Sequence, residues 1–131
     1  MNRRQIREEV FKVLFSIDFH PPEDFAEQID LAMEEIGGMT PEDETYIRTK
    51  LQAIAEHCGE IDEAINEVSI GWKTRRMGKA ELSILRLAVY EIRWEEAISK
   101  AIAINEAVEL AKKYGQENAP GFINGILAKI E

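Results

Sequence analysis

One cysteine among 131 residues leaves Cys58 with nothing to bridge inside the chain. No disulfide framework holds this fold, and the composition suits a reducing compartment. Histidine is nearly as scarce: His20 and His57 are the only two, and no serine, cysteine or carboxylate is spaced around them as a nucleophilic triad. Glycine-rich phosphate loops, HExxH and EF-hand patterns are absent. No apolar run approaches the ~20 residues of a membrane span, and no signal-peptide pattern precedes the first basic residues. These absences argue against an enzyme, a metal or cofactor protein and a membrane protein. They leave a soluble, cytoplasmic chain, 45% hydrophobic and long enough to bury a core unaided.

Cations are also in short supply, 16 Lys and Arg against 25 Asp and Glu for a net charge of -9. That balance alone speaks against nucleic acid, but the charge is segregated. Residues 23–67 hold fourteen acids and only Arg48 and Lys50. Residues 1–12 carry four Arg and Lys against two Glu, and residues 68–131 carry ten against eight. Two mildly basic ends flank an acidic middle, so local fields differ from the net figure.

What is present throughout is helical periodicity. Ile6, Val10, Val13, Leu14 and Ile17 line one face of a first helix that stops before His20-Pro21-Pro22. Phe25, Ile29, Ala32, Met33 and Ile36 mark a second, ended by Gly37-Gly38. A third starts at Thr40 as N-cap with Pro41 in its first turn, runs along Ile47, Leu51, Ile54 and Cys58, and closes at Gly59. Ile61, Ala64, Ile65 and Val68 define a fourth, fading at Gly71. The segment ELSILRLAVYEI is apolar over a wide arc and reads as a central, largely buried fifth helix. A sixth spans about 100–114, and a seventh starts with Asn118 as N-cap and Pro120 in its first turn. The expectation is an all-α chain of about seven helices in two small packed bundles, with a subdomain boundary near residue 59.

Three stretches carry candidate chemistry. Arg3, Arg4 and Arg7 share about 100° of arc on the first helix, with Ile6 and Val10 turned away toward the core, which predicts a solvent-facing arginine cluster. Guanidinium groups donate paired hydrogen bonds to phosphate oxygens. Basic residues oppose the dipole at a helix N-terminus, a small cost without structural return. The plain alternative is a solubilising face. The second stretch, WKTRRMGK, sets Lys73, Arg75, Arg76 and Lys79 beside Trp72 without an acid. It suits a single-strand platform in which bases stack and cations hold the backbone, or Trp72 simply plugs the bundle seam. In the third, KKYGQENAPGF, Lys112 and Lys113 precede a helix connection whose next N-terminus offers unpaired amides to a phosphate. Phe122 lies one turn inside that helix, where core packing is the commoner role. Cys58 beside His57 is not a thiolate pair, because adjacent helical positions point about 100° apart.

AINEAVELAKKYG (103–115) followed by GFINGIL (121–127) resembles the C-terminal signature of the NusB transcription antitermination family. RRMGKAELSILRLAVYEI resembles that family's central helix, and RRQIREEVFKVLF its arginine-rich first helix. The resemblance implies one NusB-like RNA-binding domain over residues 1–131 that acts without catalysis or cofactor. Its expected partners are single-stranded boxA RNA of ribosomal RNA operon transcripts, the ribosomal protein NusE and the RNA polymerase antitermination complex. Carried over by position, Arg3, Arg4, Arg7, Lys112, Gly115, Gln116, Asn118 and Phe122 are the expected RNA contacts. Phe15, Arg76 and Glu81 fall where contacts with the ribosomal protein are expected. Gln5 interrupts the family's arginine run, Ile6 replaces a common small residue, and Phe15 takes a usual tyrosine position. Two rival readings remain: a protein-protein module that never touches RNA, and a stand-alone relative of the RNA-binding domain of ribosomal-RNA methyltransferases. A homodimer that hides the RNA surface stays open.

Overall fold

The computed structural model describes all residues 1–131, and the chain folds as seven α-helices with no strand. They are α1 Arg3–Ile17, α2 Phe25–Glu35, α3 Pro41–Glu56, α4 Cys58–Val68, α5 Lys79–Trp94, α6 Lys100–Tyr114 and α7 Ala119–Leu127. Short 3-10 turns precede α2 at Pro22–Asp24 and α5 at Thr74–Arg76. None of the helices is long and apolar enough to cross a membrane. The helices fall into two compact units, Met1–Ala55 and Glu56–Glu131.

In the first unit, α1 begins with a capping box. The Gln5 N–H donates to Asn2 Oδ1 at 2.8 Å, and the Asn2 N–H donates to Gln5 Oε1 at 2.9 Å. The Gln5 side chain thus satisfies the Asn2 N–H, a bond that an arginine continuing the run could not accept, while the Asn2 side chain satisfies the Gln5 N–H. α1 buries Val10, Phe11, Val13, Leu14 and Ile17 and packs against α2, which contributes Ile29 and Met33. Gly38, at φ 76°, supplies the left-handed turn after α2.

A second reciprocal cap starts α3. The Asp43 N–H donates to Thr40 Oγ1 at 3.0 Å and the Thr40 N–H to Asp43 Oδ2 at 3.1 Å. The Met1 amino group reaches the same carboxylate oxygen at 3.1 Å. The Thr40 hydrogen bond first, and then the amino group, hold the Asp43 carboxyl below the ordinary carboxylate range. An ion pair between Arg48 and Asp30 ties α3 to α2. Lys50 is buried, with its Nζ 3.1 Å from Tyr46 Oη and over the same ring.

The join between α3 and α4 corrects the sequence expectation. His57 is the one non-helical residue there, at φ -94° and ψ 5°, so Gly59 lies inside α4 and Cys58 opens α4 instead of completing the α3 stripe. A single irregular residue carries no proline or glycine signal, which is why the two helices cannot be parted by pattern alone. The His57 ring stacks on Trp94 at 4.1 Å between centroids and 17° between planes, and its Nδ1 lies 3.2 Å from Glu60 Oε1.

The second unit is built around α5, which packs against α4, α6 and α7. Eight of its sixteen residues are buried, which bears out the wide apolar arc. Arg86 donates twice to Asp62 on α4, from Nε at 2.9 Å and Nη2 at 2.8 Å. Ser99 caps α6. Asn118 takes the N-cap position of α7 as expected, and its carbonyl accepts from the Phe122 N–H at 3.2 Å, but its side chain makes no capping hydrogen bond.

Candidate nucleic-acid interface

The arginine cluster in the first unit is not uniform. Arg3 and Arg4 are exposed, whereas Arg7 is 5% exposed and engaged with its surroundings. The expected solvent face of three guanidinium groups therefore has two. Residue 7 follows residue 3 by one turn, but it precedes Val10, Phe11 and Leu14 by three, four and seven positions. That places it at the rim of the buried stripe, where an arginine stem packs while its head finds polar partners. Phe15, on the same helix, is 36% exposed and stacks edge-on against Phe19 at 5.4 Å.

In the second unit, the α6–α7 turn is set by steric closeness. A Cβ on Gly115 would lie 2.5 Å from Ala119 Cβ and 2.9 Å from the Ala111 carbonyl oxygen, so only glycine lets α7 start this close to the end of α6. Its φ of -91° needs no glycine; the contact does. The Gln116 N–H donates to Glu81 Oε1 at 3.4 Å, joining this turn to the first turn of α5. Gln116 and Asn118 are exposed and Phe122 is half-buried. Lys112 is exposed and paired with Glu109 at 3.2 Å, a surface contact worth little that a phosphate can replace.

These residues meet the basic connector before α5. One open cleft of about 280 Å³ is lined by Trp72, Arg76, Glu81, Gln116, Asn118 and Phe122. The sequence placed Arg76 and Glu81 with a protein partner and Gln116, Asn118 and Phe122 with RNA; the fold puts all five on one surface. Trp72 is 53% exposed, so it does not plug a seam. Its signal was present in its neighbours: Gly71 and Lys73 flank it, and it continues no helical apolar stripe. What spacing could not reveal is that Trp72 and Phe122, fifty positions apart, share a cleft. No group of three His, Cys, Asp or Glu converges to hold a metal ion.

The NusB family profile matches residues 4–131. Transcription antitermination protein NusB of Agathobacter rectalis is 52% identical over 129 residues, 98% of each chain. Its counterpart in Lachnoclostridium phytofermentans is 45% identical over 130 residues, covering 99% of this chain and 98% of its own. Among solved structures, T. maritima NusB matches with a TM-score of 0.90 at 32% identity, across 98% of this chain and 89% of that one. A chain from the crystal structure of antitermination factors NusB and NusE in complex with dsRNA matches with a TM-score of 0.84 at 28% identity, across 96% and 92%. The first helix from Arg4 onward, central α5 and the glycine-tight final turn lie within the matched residues 4–131, and the chain belongs to the NusB family.

Proposed function

We propose that this chain is a transcription antitermination factor that works by binding and not by catalysis. It holds the boxA RNA of ribosomal RNA operon transcripts together with NusE, and the assembly joins transcribing RNA polymerase. Residues 1–131 serve as one RNA-binding domain. Arg3 and Arg4 in the first unit, and Lys112, Gly115, Gln116, Asn118 and Phe122 in the second, contact the RNA. Phe15, Arg76 and Glu81 contact the ribosomal protein. The observation that carries this reading is the cleft: cations, exposed amides and two aromatic side chains gathered around a turn that glycine holds tight. The solved NusB–NusE assembly with dsRNA supports the partner set.

A second reading, a protein-protein module that does not touch RNA, draws on the burial of Arg7 and the acidity of residues 23–67. Retention of boxA RNA by the purified chain separates the two, measured with single-stranded and duplex RNA, with and without NusE. The proposal expects single-stranded boxA RNA to be held more tightly when NusE is present. NusE binding with no RNA held by either the chain or the pair would favour the second reading.

A further inference from the structure

Between α1 and α2, within the first unit, runs a groove that none of the contacts assigned above uses. Its volume is about 360 Å³, and Val13, Ile17, Ala32 and Ile36 supply its apolar lining. Glu9, Lys12 and Ser16 on α1 and Gln28 and Glu35 on α2 supply the polar part. On each helix these residues recur at three- and four-residue spacing over about two turns, so the groove is roughly 12 Å long. Leu31, 47% exposed, extends the apolar surface of α2 beside Gln28 and Glu35. Glu9 lies about 120° around α1 from Arg3 and about 120° from Phe15, so the groove occupies a third face of that helix.

The charge beside the groove is one-sided. From Pro22 to Glu35 the chain carries Glu23, Asp24, Glu27, Asp30, Glu34 and Glu35 and no base. Of these, only Asp30 is held in an ion pair, with Arg48 on α3. Lys12, the one cation of the lining, is paired with Glu9 at 3.2 Å. Glu34 and Glu35 sit in the last turn of α2, where the unpaired carbonyls already carry negative partial charge and a cation is favoured. That placement costs the fold stability and returns no contact within the chain. A cation brought by a partner relieves it, whereas a phosphate backbone is repelled.

We propose that this groove docks a basic amphipathic helix of a protein partner. The apolar stripe of that helix lies along Val13, Ile17, Ala32 and Ile36, as an amphipathic helix lies in a hydrophobic groove. Its lysines or arginines meet Glu9, Glu34 and Glu35, and one of them offsets the negative end of α2. The groove shares no residue with the RNA and NusE contacts, so the inference stands independently of that reading.

The test uses the full chain and a fluorescein-labelled amphipathic helical peptide of leucine and lysine, read by anisotropy. The chain should bind this peptide and not its leucine–glutamate counterpart, and binding should shift the amide resonances of Ser16, Ala32 and Ile36. Ala32→Trp, which fills the groove, should weaken binding by about 10-fold or more, as expected when one or two contacts are lost. Should that bulk unfold the unit, Glu34→Lys with Glu35→Lys changes only exposed side chains and should weaken binding to a similar degree. Glu63→Lys with Glu67→Lys makes the same charge change at exposed positions of α4 and should keep most of the affinity. Equal losses in the two double variants, or resonance shifts confined to α4–α7, would overturn the groove in favour of diffuse charge attraction. Displacement of the peptide by NusE would overturn a separate partner and make the groove part of the NusE contact. A dimer of the chain alone that Glu34→Lys with Glu35→Lys dissolves would overturn the proposal in favour of a second copy.

Discussion

Arg7 shows how one side chain can change the meaning of a motif. As the third member of an exposed cluster it would act on RNA alone; buried, it also belongs to the fold. Arg7→Ala should lower stability by about 1–3 kcal/mol because a buried side chain and the interaction it makes are lost, while Arg3→Ala and Arg4→Ala, at exposed positions, should leave urea midpoints in place. Equal midpoints for all three variants would contradict this assignment. Asp43 gives a pH-dependent counterpart. Its carboxyl titrates lower in the folded state than in the unfolded chain, so its contribution is present above the ordinary carboxylate range and fades as pH falls through the depressed folded value. Asp43→Asn should therefore be less stable than the unsubstituted chain at neutral pH, with the gap narrowing in acid. Gly115→Ala forces a methyl group against Ala119 and a backbone carbonyl, and should cost about 1–3 kcal/mol in urea unfolding.

Among the helices, α5 is the best supported and the easiest to recognise. Its apolar residues cover most of its circumference, and α4, α6 and α7 pack around it. The doubly hydrogen-bonded Arg86–Asp62 pair fixes α4 on α5. Arg86→Ala should lower stability by about 2 kcal/mol, the scale of hydrogen bonds to charged groups, as read from the denaturation midpoint. Helices with proline or glycine at their ends, such as α2 and α3 at their starts, were legible because those residues constrain the backbone directly. The α3–α4 join was not, since His57 alone leaves helical geometry and its ring stacking on Trp94 is a contact across thirty-seven positions. The candidate site divides in the same way. Gly115, Asn118 and Phe122 could be picked out from a local motif, whereas the cleft they form with Trp72 and Arg76 depends on how α5, α6 and α7 pack.

For the molecule as a whole, the net charge of -9 is shared unequally between the two units. Residues 1–55 carry twelve acids against six bases, and residues 56–131 carry thirteen against ten. RNA binding by such a chain must rest on a few local cations, and so it should respond to salt in small, countable steps. The most direct measurement is the affinity for single-stranded boxA RNA, with NusE present, across a series of salt concentrations. Each phosphate contact on a single strand contributes about 0.7 to the slope of log affinity against log salt. Replacing Arg3 and Arg4 together by alanine should weaken binding and reduce that slope by about 1.4, with the fold intact. An unchanged affinity and slope in the double variant would contradict the claim that the first helix grips the transcript.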